Sequence, residues 1–132
     1  MIIGEPVGDG EGVDLAPIDH GAQNYGARRV SLGSTASIRL DDLYIHLPTF
    51  IQIDVEGWEG RVLAGATHTI EASRPIIVCE INREALALAG DSPEHLHSIL
   101  AEHGYDMRDI YDGSTWSAAD TRPLFDIVAR PK

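Results

Sequence analysis

Asp54 and Glu56 stand at the end of an apolar run, Phe50, Ile51, Gln52 and Ile53, and Gly57 follows them. A third carboxylate, Glu80, closes a second apolar run, Ile76, Ile77, Val78 and Cys79, with Asn82 two residues on. Ligands of open α/β sheets sit outside the carboxyl ends of the strands, so acids at two neighbouring strand tips share one crevice. Crowded carboxylates raise one another's pKa, which suits a general base acting on a hydroxyl. Asp54 is the first candidate for that base or for orienting the acceptor; Glu56, Glu80 and Asn82 are candidates beside it. The competing reading is structural: Asp54 and Glu56 accept amide hydrogen bonds in the turn or cap the helix behind it. Gly57 permits the tight turn, and Trp58 reads as core.

Elements that would position these groups follow from periodicity. Residues 50–54 read as a buried strand and residues 59–73 as helix, with Trp58, Val62 and Ala66 on one side and Gly65 dividing it. Pro75 stops that helix, and residues 76–81 form the second strand. The strands lack polar alternation, so helices are expected on both faces. Asp91, Ser92, Pro93 and Glu94 are a helix start; Leu96, Ile99 and Leu100 are its stripe and Gly104 its stop. Residues 105–111 and 124–130 read as strands joined without a helical period, hence an antiparallel hairpin. The fold class is therefore α/β, the second half of a Rossmann-like sheet. Upstream, residues 4–8 and 12–15 read as short strands around a glycine–acid turn, 19–37 as a long loop, and 37–40 as a strand. Asp41 would cap a one-turn helix. The whole is one domain, residues 1–132, with a loop-rich segment 1–37 and an α/β core 38–132.

Charge narrows the partners. Ten Lys and Arg against 21 Asp and Glu give a net charge of −11, a field that repels phosphate backbones and anionic lipid. Neither nucleic acid nor membrane is expected. The one cysteine, Cys79, lies within an apolar run and reads as core filler. No apolar stretch approaches a membrane span and no signal-peptide pattern opens the chain, so a soluble, cytoplasmic protein is the expectation.

The order of elements, with Ile53, Asp54, Val55, Glu56, Gly57, Trp58, Glu59 and then Val62, Leu63, Ala64, Gly65, Ala66 inside it, resembles the FkbM-type methyltransferase family. Pro75 and Glu80 match the next strand of that pattern. Asn24, Tyr25 and Gly26 match its Asn-aromatic-Gly loop, and Leu40, Asp41, Asp42 and Leu43 its Leu-Asp-Asp element. The resemblance implies O-methylation of a small-molecule or sugar hydroxyl with S-adenosylmethionine as cofactor. It also implies that His20, Asn24 and Tyr25 approach the acceptor; read from residues alone, they belong to a surface loop. The family's glycine loop after the first strand and its ribose-binding acid after the second have no counterpart in this sequence. The expectation is thus an acceptor half whose donor half is missing, a truncated family domain with its cofactor-binding residues unknown.

Three functional classes follow. One is a methyltransferase, alone or completed by another chain. Another is a non-catalytic remnant or assembly module, a homo-oligomer joined through the open edge of residues 50–54. The third is a hard-cation site at Asp54, Glu56 and Glu80, whose spacing matches no known loop. His95, His97 and His103 read as exposed histidines, since residues two apart on a helix point apart, and no metal is expected.

Overall fold

The computed structural model describes residues 7–15, 30–43 and 47–132. Its centre is a four-stranded mixed sheet of β4 (Phe50–Ile53), β5 (Ile76–Asn82), β6 (Tyr105–Asp109) and β7 (Leu124–Pro131), in the spatial order β4-β5-β7-β6. β4 and β5 run parallel, with Ile53 beside Cys79. β7 enters between β5 and β6 and is antiparallel to both. The expected terminal hairpin is present, and its returning strand takes the inner position. This is a partial Rossmann-like α/β fold.

Four helices fill the crossovers: α1 (Glu59–Ala64), α2 (Thr67–Ser73), α3 (Arg83–Leu88) and α4 (Pro93–Glu102). Val62, Leu63, Ile70, Leu86, Leu96 and Leu100 from these helices join Ile53, Ile77, Cys79, Ile81, Phe125 and Ile127 in one buried cluster. The helices therefore lie on one face of the sheet. β5 alternates accordingly: Ile77, Cys79 and Ile81 are buried, while Val78, Glu80 and Asn82 are only partly so. The expectation of cover on both faces fails for the described residues, because every helix spends its apolar stripe on the same side.

The α1–α2 break falls at Gly65, as the sequence indicated, for a reason the sequence did not carry. A Cβ on Gly65 would lie 1.8 Å from the Gly8 carbonyl oxygen, and the Gly65 carbonyl accepts the Asp41 amide at 2.9 Å. The N-terminal turn and the Leu40–Asp42 3-10 turn are thus seated on the junction. Asp41 does not cap its own turn. Its carboxylate accepts the amides of His68 at 3.0 Å and Thr69 at 2.8 Å, capping α2 from across the fold. Ser92 caps α4 as read, accepting the His95 amide.

A second, small sheet pairs β1 (Gly12–Leu15) with β2 (Val30–Leu32) and β3 (Thr35–Ala36), in the order β2-β1-β3. β2 and β3 fall where a loop was read, and of the strand expected at 37–40 only an Ile38–Val7 bridge forms. The sequence signal there is weak because β2 and β3 are two or three residues long. Among the described residues no helix is long and apolar enough to cross a membrane.

Candidate functional site

β4 ends at Ile53, and the chain then turns through Val55, Glu56 and Gly57 into α1. Glu56 holds φ 54 and Gly57 φ 98, two left-handed residues in succession. For Gly57 the cost is small, and no other residue fits: a Cβ would lie 2.3 Å from the Ala85 carbonyl oxygen. For Glu56 the conformation is strained, of the kind that collects at functional sites. β4 ends before Glu56, so the turn, not the pleat of a strand, places its side chain.

Neither Asp54 nor Glu56 staples this turn. Glu59 does: one oxygen, Oε1, accepts the amides of Val55 at 3.2 Å and Gly57 at 3.1 Å. Glu59 is fully buried, and its other oxygen, Oε2, has no hydrogen-bond partner among the described residues. Burial pushes its carboxyl up in pKa, against the lowering effect of those amides. Sequence reasoning missed Glu59. The signal available was an acid in the first turn of a helix, two residues past a glycine that leaves its amide unpaired.

One residue beyond the Ile53–Cys79 pair, Asp54 falls level with Glu80, and Glu80 is the register partner of Asp126 on β7. Glu80 and Asp126 thus sit opposite each other on neighbouring strands about 4.8 Å apart, and Asp54 stands at the same level one residue past the end of β4. Burial first, then the charges of Asp54, Glu56, Asp126 and Glu59, push the Glu80 carboxyl up. Burial and Asp54 do the same for Glu56. Asp126 accepts the Tyr111 hydroxyl at 3.1 Å. Asp126 and Tyr111 are additions the sequence could not have supplied, because the β5–β7 register brings them there.

Asn82 is committed elsewhere: its side chain caps α3, accepting the Ala85 amide at 3.1 Å. His20, Asn24 and Tyr25 lie outside the described residues. The remaining histidines are separate: His95 pairs with Asp91 at 2.7 Å, His97 stacks edge-on to Trp116, and His103 stands 4.0 Å from Glu71. Among the described residues no group of three His, Cys, Asp or Glu side chains is placed to hold a metal ion. Cys79 is buried, and burial raises its thiol pKa well above normal, so it is inert core.

The strand-to-helix turn and its acids coincide with a family signature. A model of the methyltransferase FkbM domain matches residues 10–107. The chain belongs to the FkbM methyltransferase family. The match takes in β1 through α4 and both strand-end carboxylates, and stops within β6. No curated protein and no solved structure matches the chain. It is a methyltransferase-family protein.

S-adenosylmethionine is the methyl donor that such a family implies. The side chains at this level of the sheet fit part of it: Asp54, Glu56 and Glu80 offer carboxyl oxygens as acceptors, matched to a sulfonium, an ammonium or hydroxyls. Nothing in this set is an amide cradle or an aromatic face for the adenine.

Proposed function

We propose that this FkbM-family protein methylates a hydroxyl of a small molecule or sugar, in the cytoplasm, with the acceptor held at the Asp54–Glu80 level of the sheet. The observation that carries the reading is the carboxylates at one level of adjacent strands, with the Glu80 carboxyl pushed up by burial and by its neighbours. In this reading Asp54 accepts a hydrogen bond from the acceptor hydroxyl and fixes its direction. Glu80 takes the proton as the oxygen acquires its new bond to carbon, so that no free alkoxide forms. Glu56, held in a strained conformation at the turn, lines the same crevice. S-adenosylmethionine, where bound, supplies a methyl on a positively charged sulfur, which leaves with its bonding electrons as a neutral thioether. Asp54 and Glu56 would hold its cationic end.

The test is transfer of tritiated methyl from S-adenosylmethionine to a panel of monosaccharides and polyols, with calorimetric titration of the donor alongside. Transfer that falls by about 10²–10⁴ in Glu80→Gln supports the assignment. Absence of both heat and transfer, in the chain alone and with added homologous donor-half protein, removes it.

A second reading rests on β4, which among the described residues pairs on one side only, with Phe50 54% exposed. An uncharged edge strand without proline or bulge recruits another strand. The protein would then be an assembly module, joined edge to edge. Slow amide exchange at Phe50 and Gln52, whose N–H groups face away from β5, in a sample of dimer mass would support it; fast exchange there would count against it.

A further inference from the structure

Tyr111 follows β6 and is the most exposed large apolar side chain among the described residues, at 82%. It is nevertheless held at both ends. Its amide donates to Asp109 Oδ1 at 2.8 Å, and its hydroxyl donates to Asp126 Oδ2 at 3.1 Å. The turn that carries it is built on a buried acid. Asp109 also accepts the Asp112 amide, at 3.1 Å, and is paired with Arg122 at 2.6 Å. Ile110 ties the same turn to β7, its amide donating to the Asp126 carbonyl at 3.1 Å. A tyrosine this exposed gains almost nothing from burial, and a hydrogen bond open to water adds little to stability. The fold thus fixes a ring in place and leaves its faces bare.

The fixed ring stands beside the candidate site. Phe125 and Ile127 point into the core under the helices, so Asp126 between them points to the side that carries no helix among the described residues. Its register partner is Glu80 on β5. In the order β4-β5-β7-β6, Asp54 then borders this level on one flank and Tyr111 on the other. One strand spacing, about 4.8 Å, separates Glu80 from Asp126, roughly the width of a six-membered ring. We propose, on the methyl-transfer reading above, that Tyr111 is a specificity-determining residue for the acceptor: its ring packs against the apolar face of a cyclic sugar whose hydroxyl lies at the Asp54–Glu80 level.

A pyranose presents C–H groups on its faces and hydroxyls around its edge, so it is matched by a flat apolar surface with hydrogen-bond acceptors set beside it. Tyr111 supplies the surface, and Asp126 and Glu80 the acceptors. An acyclic polyol carries similar hydroxyls but no flat face, and it must also freeze its chain torsions to bind. It gains little from the ring. The Tyr111 hydroxyl is committed to Asp126; that hydrogen bond, and then the Asp126 charge, push its pKa up and keep it a donor. The hydroxyl aims the ring, and the ring makes the contact. The family match ends at residue 107, so Tyr111 lies outside the pattern that identifies the family.

The experiment compares methyl β-D-glucopyranoside with sorbitol on the full chain, by saturation-transfer NMR titration and by methyl-transfer kinetics, for wild type, Tyr111→Phe and Tyr111→Ala. Thermal melts are expected to show all of them equally folded. The wild type is expected to bind the glucoside more tightly than sorbitol. Tyr111→Ala is expected to weaken glucoside binding about tenfold, to erase that preference, and to raise KM with kcat nearly unchanged. Tyr111→Phe, which keeps the ring and loses the hydroxyl, is expected to retain most of the preference. A preference that survives in Tyr111→Ala overturns the proposal. So does a wild type that binds neither probe, or that binds sorbitol as tightly as the glucoside. Glucoside binding that depends on Tyr111 without any methyl transfer keeps the ring contact and removes the methyl-transfer reading; transfer to both probes untouched by Tyr111→Ala does the reverse.

Discussion

Glu59 Oε1 accepts the amide of Gly57, two residues before it, at 3.1 Å, and by that contact fixes the turn from which Asp54 and Glu56 are presented. The same oxygen takes the Val55 amide at 3.2 Å, so one carboxylate satisfies two amide donors of the turn that leads into the helix. The site's acids thus depend on a buried acid that the acceptor never needs to touch.

Glu59→Ala leaves the Val55 and Gly57 amides without their acceptor inside the fold and is expected to cost about 2–4 kcal/mol. Glu59→Gln keeps the accepting oxygen and removes a buried charge, and is expected within about 1 kcal/mol of wild type. Urea denaturation of the two variants checks the pair. Equal losses would mean that the charge, and not the acceptor, closes the turn.

Gly57→Ala must fit a methyl 2.3 Å from the Ala85 carbonyl oxygen at φ 98. We expect a loss of more than about 2 kcal/mol, or no folded protein. Gly113 shares the positive φ, at 73, with nothing within 4 Å of its would-be Cβ. Gly113→Ala therefore shows the backbone cost alone, about 1 kcal/mol. Thermal melts that give both variants the same loss would exclude the close approach as the cause.

Glu56→Gly relieves a left-handed side chain and is expected to stabilise the fold by about 1 kcal/mol. If Glu56 lines the acceptor crevice, the same substitution lowers methyl transfer. Stability and activity then move in opposite directions, the signature of strain retained for function. A variant that is less stable than wild type would show that Glu56 makes a contact worth more than its strain.

The pH response has two arms. Glu56, Glu59 and Glu80 are raised in the folded state, so between the ordinary carboxylate range and their folded values the native state binds more protons than the unfolded one. Stability accordingly falls as pH rises through that window. Asp41 is lowered: burial raises it, but the Thr69 and His68 amides, the Thr69 hydroxyl and Arg39 prevail. Its contribution is full above the ordinary aspartate pKa and is lost as pH falls through its folded value. A melting-temperature maximum on the acid side of neutral is expected. Glu80→Gln should flatten the descending arm toward neutral pH and leave the acid arm in place; an unchanged profile would mean that Glu80 carries no burden of repulsion.

Asp41→Ala removes a cap supplied from 27 residues away and is expected to cost about 1–2 kcal/mol. Asp41→Asn, which can still accept from His68 and Thr69, should recover most of it. Chemical denaturation distinguishes this from a local role in the Leu40–Asp42 turn, where both variants would be nearly silent.

The main strands, the split helix and the α4 start were legible because each has a local cause. Short apolar runs make the strands, although β4, read as buried, exposes Phe50 and Gln52; Pro75 and Gly65 interrupt a helix, and Ser92 before Pro93 begins one. Asp54 was legible as the residue after a strand, and the motif around it named the family; Glu80, read as a strand end, lies inside β5, which runs on to Asn82. Helix α3 was missed. It is six residues long with a single buried side chain, Leu86, so it shows almost no period to read.

What only the tertiary structure decided depends on partners far apart in sequence. Asp126 joins the carboxylate row through a strand register that no local pattern encodes. Asp41 caps a helix other than its own, and Glu59, not Asp54 or Glu56, holds the turn. The side of the sheet that carries no helix among the described residues belongs here too: a strand's residues show which of them are apolar, but which face receives helices is settled by where the crossovers land. Local chemistry selected the elements; their register and packing selected which charges stand together.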